Sequence, residues 1–193
     1  MKIVYRGGYT KKNKESYKYC SWFTYEQYLQ RVLETGLRVA IVPLAKENDN
    51  HYDEEIKKCK LGNADIITLD KRDVEWSDYD VIFIPGGDPL LLYNRLIERK
   101  FSLDILKKDS VIIGDSAGAM ILAKEFMEVR NWKNFKISFY KGFNPSVNFV
   151  ILPHVDNSFY GNFLFRLLVK IRALFRGMKI ISLKENEEFK LII

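Results

Sequence analysis

A serine between two glycines, a histidine after a proline and a few late carboxylates are the residues of this sequence whose types and spacing suit chemistry. Ser116 lies within Val111–Met120, where an apolar run enters Gly114-Asp115-Ser116-Ala117-Gly118 and a helical pattern follows at once. That is the layout of a nucleophile elbow, a sharp strand-to-helix turn holding a serine above a sheet edge. Glycines two before and two after the serine fit it, because side chains there would collide with neighbouring elements. The amide of Ala117 opens the following helix, where partial positive charge favours an oxyanion.

A serine is a weak nucleophile and needs a base within hydrogen-bond reach, itself oriented by a third group. His154, stiffened by Pro153, is the histidine expected at a strand end, whereas His51 lies in a polar stretch and reads as a surface residue. Two carboxylates suit the third role: Asp156, two residues on, and Glu185, after a late apolar run. Glu187 and Glu188 read as solvated charges. At Gly86-Gly87-Asp88, glycines let the backbone approach a ligand, so the Gly87 amide pairs with that of Ala117 as a two-donor oxyanion hole.

These residues need elements to carry them. Apolar runs predict strands at Lys2–Tyr5, Arg38–Leu44, Ala64–Leu69, Tyr79–Pro85, Ser110–Gly114, Phe135–Tyr140, Asn148–Leu152, Lys179–Leu183 and Phe189–Ile193, the last two as a closing pair. Helical spacing predicts helices over Trp22–Glu34, ended by Gly36, then Asp53–Lys60, Pro89–Arg99, Ala117–Val129 and Phe159–Phe175. Strands alternating with helices imply a mostly parallel, doubly wound α/β/α sandwich, in which sites form at the carboxyl ends of strands. Gly86-Gly87, Ser116 and His154 all fall at such ends.

The totals set bounds. A chain of 193 residues, 47% hydrophobic and 29% charged, is expected to form one soluble α/β domain. Charge breaks the first residues before any signal-peptide run, and no stretch approaches a membrane span, so a cytoplasmic protein without an integral membrane segment is expected. Cys20 and Cys59 match no metal or redox spacing, so no metal and no cofactor are expected. The net charge of +6 comes without a groove-reading or aromatic motif, so nucleic acid is not an expected partner. The Phe163–Lys179 segment has the apolar face and basic residues of a surface-binding helix, but is expected to pack on the sheet with its basic heads in water.

Ile-Phe-Ile-Pro-Gly-Gly-Asp-Pro, Gly-Asp-Ser-Ala-Gly-Ala-Met, Leu-Pro-His-Val-Asp and Ile-Ser-Leu-Lys-Glu-Asn occur in this order, and with them the chain resembles the dipeptidase E/cyanophycinase family of serine peptidases. The resemblance runs from about Val39 to the end. It implies a flavodoxin-like fold similar to that of class I glutamine amidotransferases. It also implies a Ser-His-Glu triad of Ser116, His154 and Glu185, which ranks Glu185 above Asp156. Three residues depart from the family pattern: Asp115 beside the nucleophile, Asp88 in place of asparagine, and Pro85 in place of a third glycine. The arginine that holds the substrate carboxylate in dipeptidase E has no clean match, and Arg166 is the substitute expected, with Gly86 and Asp88 also at the substrate.

The expectation is a serine peptidase acting on small peptides, including dipeptides with an acidic N-terminal residue. The partners expected are that peptide and a second copy in a homodimer. The alternative is a degenerate family member that serves as a binding protein.

Overall fold

The computed structural model describes residues 1–8, 21–47, 61–131, 136–156, 162–185 and 187–193. The helix expected over Asp53–Lys60, with His51, Cys20 and Cys59, lies outside these residues. Buried strands with no polar face, such as Val-Ile-Phe-Ile, need cover on both sides, and that requirement shapes the fold. A six-stranded sheet runs in the order β10-β1-β5-β4-β2-β3. Its members are β1 (Lys2–Arg6), β2 (Val39–Ile41), β3 (Asp65–Ile66), β4 (Val81–Ile84), β5 (Val111–Asp115) and β10 (Glu188–Ile192). Neighbours are parallel except β10, which runs antiparallel to β1.

Helix α1 (Ser21–Glu34) covers one face, with Tyr25, Leu29 and Val32 against Val4, Ile41, Phe83 and Ile113. Gly36, at φ 79°, follows it in the left-handed conformation that suits a helix stop. The other face (Ile3, Tyr5, Ile82, Ile84, Ile112) takes α2 (Pro89–Glu98) through Leu92 and Leu96, and α3 (Ala117–Ile121) along its whole length. The result is a three-layer α/β/α sandwich with a mostly parallel sheet.

Two departures from the sequence pattern matter for the site. First, α3 ends at Ile121 instead of continuing to Val129, and Glu125–Asn131 forms β6, antiparallel to β7 (Lys136–Lys141). Residues 119–124 carry no helix breaker, so the stop comes from tertiary contacts. The amides of Phe143, Asn144 and Gly142 donate to the carbonyls of Ile121, Ala123 and Lys124, which a continuing helix would need. Second, the last two strands do not pair with each other. β8 (Phe149–Leu152) and β9 (Lys179–Ser182) form a separate parallel ladder, and β10 joins the main sheet. Tyr5, Phe149 and Phe189 pack ring against ring between the two sheets, with centroids 5.6–5.8 Å apart.

Helix α4 (Phe163–Phe175) starts at Asn162, whose side chain accepts from the amides of Leu164 and Phe165. It buries Phe165, Val169 and Ala173. No helix of the described residues is long and apolar enough to cross a membrane.

Candidate active site

The elbow is dictated by space. A Cβ on Gly118 would stand 2.0 Å from the carbonyl oxygen of Ile84, and one on Gly114 would stand 2.6 Å from the backbone of Gly118. Only glycine lets β4, β5 and α3 come that close. The turn forces Ser116 to φ 51° and ψ −108°, an uncommon conformation for a residue with a side chain. The Ser116 amide donates to the carbonyl of Arg6 at 3.1 Å, tying the turn to the end of β1.

His154 arrives from the other ladder. It too has positive φ, 54°, and its amide donates to the carbonyl of Gly7 at 2.9 Å. Its Nε2 lies 2.9 Å from Ser116 Oγ, and its Nδ1 lies 3.1 Å from Glu185 Oε1. Glu185 follows β9, whose Ser182 is the register partner of Leu152, two residues before His154. The short ladder thus delivers base and acid side by side. The side chain of Glu185 is 7% exposed and that of His154 18%, so the pair is largely shielded from water.

Asp156, the other acid considered, is not on the imidazole. Its Oδ1 accepts the backbone amide of Glu185 at 3.0 Å, which fixes the acid instead of replacing it. Asp88, expected at the substrate, is engaged as the N-cap of α2, accepting from the Leu91 amide at 2.8 Å. Gly86 lies against the nucleophile: a Cβ there would be 2.9 Å from Ser116 Cβ and 3.4 Å from Oγ. Among the described residues, the amides of Gly87 and Ala117 donate to no protein acceptor. Arg166 sits on α4 and lines a groove of about 800 Å³ with Leu152 and Ser182, the last residues of β8 and β9. The triad residues are not among those lining this groove. Among the described residues, no cluster of three or more His, Cys, Asp or Glu side chains is arranged for a metal ion.

Three residues with a part in the site were not singled out from sequence. Gly8, at φ 90°, faces the imidazole, and a Cβ there would fall 2.2 Å from His154 Nε2. Its signal was available: Gly7-Gly8 follows a strand, as Gly86-Gly87 does. Arg6 and Glu188 form the other omission. In register across the sheet, Glu188, Arg6 and Asp115 make a row of alternating charge on the α1 face. Arg6 is fully buried, with Nη1 3.9 Å from Asp115 and Nε 4.0 Å from Glu188. Its guanidinium lies 4.7 Å from the centre of the Tyr25 ring, and the Tyr25 hydroxyl donates to Glu188 Oε1 at 2.5 Å. Burial, reinforced by the Glu188 carboxylate, pushes the Tyr25 hydroxyl well above its ordinary pKa, so it keeps that proton. The Glu188 side chain, 30% exposed, is thus at once solvated, as expected, and engaged with Arg6 and Tyr25. Asp115 neighbours Ser116 in sequence but faces Arg6.

The chain matches the model of peptidase family S51 over residues 16–190, and it belongs to that family. Its class is accordingly that of the peptidases. The match begins before α1, so it reaches further toward the start of the chain than the motifs that carry the resemblance. A comparison with curated proteins finds no match.

Proposed function

We propose that the protein is a serine peptidase that cleaves small peptides, with Ser116 as nucleophile, His154 as general base and acid, and Glu185 as the orienting carboxylate. The observation that carries this reading is the unbroken chain from Ser116 Oγ to His154 Nε2 at 2.9 Å and from Nδ1 to Glu185 Oε1 at 3.1 Å. With its proton on Nδ1 and donated to Glu185, the imidazole presents a lone pair on Nε2 to the serine hydroxyl. As Oγ bonds to the peptide carbonyl carbon, its proton passes to Nε2. The resulting oxyanion is met by the amides of Gly87 and Ala117. Collapse breaks the C–N bond, His154 hands the proton to the departing amine, and water releases the acyl group by the same route.

Two of the three departures from the family pattern are engaged away from the triad: Asp115 is paired with Arg6 and Asp88 caps a helix. That supports an active site over an inert one. The preferred substrate is a dipeptide with an acidic N-terminal residue, whose carboxylate Arg166 would receive in the groove beside Leu152 and Ser182.

The test is a panel of dipeptides, including Asp-X, Glu-X and neutral members, read by release of free amino acids. The account expects release from the acidic members and its loss in Ser116→Ala. Release that survives Ser116→Ala would overturn the nucleophile, and cleavage confined to neutral dipeptides would overturn the role of Arg166.

A further inference from the structure

We propose that α4 is a docking surface for an anionic lipid membrane, on which it lies in the plane of the headgroups. The helix buries a single narrow stripe, Phe165, Val169 and Ala173. At about 100° per residue, the side directly opposite that stripe carries apolar residues across an arc of roughly 140°. Leu164, Leu168, Ile171 and Phe175 run along it, and Phe175 is 89% exposed and Leu164 58%. Helices of water-facing proteins turn charge to the solvent at these positions.

Charge selects the occupant. From Asn162 to Lys184 the sequence holds Arg166, Lys170, Arg172, Arg176, Lys179 and Lys184 and no acidic residue. Lys170 borders the apolar arc on one side and Arg172 on the other, the arrangement of a helix that inserts apolar side chains between acyl chains while its cations meet lipid phosphates. Lys170 has no acidic partner among the described residues. A second copy of this face would bring the same cations against one another. The apolar arc is also wider than the seam of a helix pair, which needs only two positions per heptad. Both features favour a membrane over a homodimer here.

Flotation of the whole protein with vesicles of phosphatidylcholine alone, and with about one-third phosphatidylglycerol, tests the inference. Binding is expected only to the anionic vesicles, falling at least tenfold at roughly 0.5 M salt, where the screening length shrinks to a few ångströms. Leu164→Glu with Phe175→Glu, both away from the groove of Arg166, should abolish flotation while leaving the circular-dichroism melt unchanged. Arg172→Gln should weaken it several-fold. Equal flotation with neutral vesicles, or no flotation, would overturn the proposal. So would a dimer in size-exclusion chromatography that Leu164→Glu/Phe175→Glu dissociates, since that would assign the face to a second copy.

Discussion

Ser116 and His154 stand 2.9 Å apart, yet they leave differently built parts of the molecule. Ser116 follows β5, which has parallel neighbours on both sides in the six-stranded sheet. Its turn is closed by glycine contacts that admit no other residue, and Asp115, just before it, is buried against the equally buried Arg6 of the neighbouring β1. His154 follows β8, a four-residue strand in a two-stranded ladder. It is held by the hydrogen bond from its amide to the Gly7 carbonyl, by Glu185 and by the space that Gly8 leaves open. The nucleophile is fixed by backbone packing that the whole fold shares, and the base by a few local contacts. Damage near Ser116 should therefore be felt first in stability, and damage near His154 first in turnover.

Variants can break or sharpen that contrast. Glu185→Gln should give the largest effect on the base side. Its amide cannot stabilise the imidazolium, so kcat/KM should fall about 10³–10⁴-fold with little change in melting temperature. A loss below tenfold would mean that His154 does not depend on Glu185. On the nucleophile side, Gly118→Ala drives a Cβ to 2.0 Å from the Ile84 carbonyl oxygen, where backbone must yield. We expect about 3 kcal/mol of destabilisation, a fall of roughly 10 °C in Tm by calorimetry.

Gly8→Ala is the sharper comparison, because its added Cβ meets a side chain that can swing away. Turnover should drop about 100-fold through a displaced imidazole, with a Tm loss smaller than that of Gly118→Ala. The reverse ranking of the two melting temperatures would remove the contrast. Asp156→Ala comes last. It deletes one hydrogen bond to the Glu185 amide, and kcat should fall about 5- to 10-fold while KM holds.

What could be read from the sequence follows the same division. The elbow was legible because its glycine spacing is a steric demand local to five residues, Gly114 to Gly118. The sheet was legible from its apolar runs, although β2 and β3 proved shorter than their runs. Glu185 was a candidate from its place after a late apolar run, but its rank above Asp156 rested on resemblance, since its position at the imidazole depends on the β8–β9 register, which no local pattern encodes. Gly8 was not legible because the imidazole it faces lies far away along the chain. The overlong helix after Ser116 failed for a similar reason: Gly142, Phe143 and Asn144 end it from outside. The partners of Glu188, Arg6 and Tyr25, were not legible because they come from the opposite end of the sequence.

The central claim is that Ser116 is a nucleophile made reactive by His154. A mechanism-based phosphonate, followed by peptide mapping in mass spectrometry, tests it without knowing the substrate. A single adduct on Ser116, lost in His154→Gln while the protein stays folded by circular dichroism, is the predicted result. An unlabelled Ser116, or labelling that His154→Gln leaves at full rate, would contradict it.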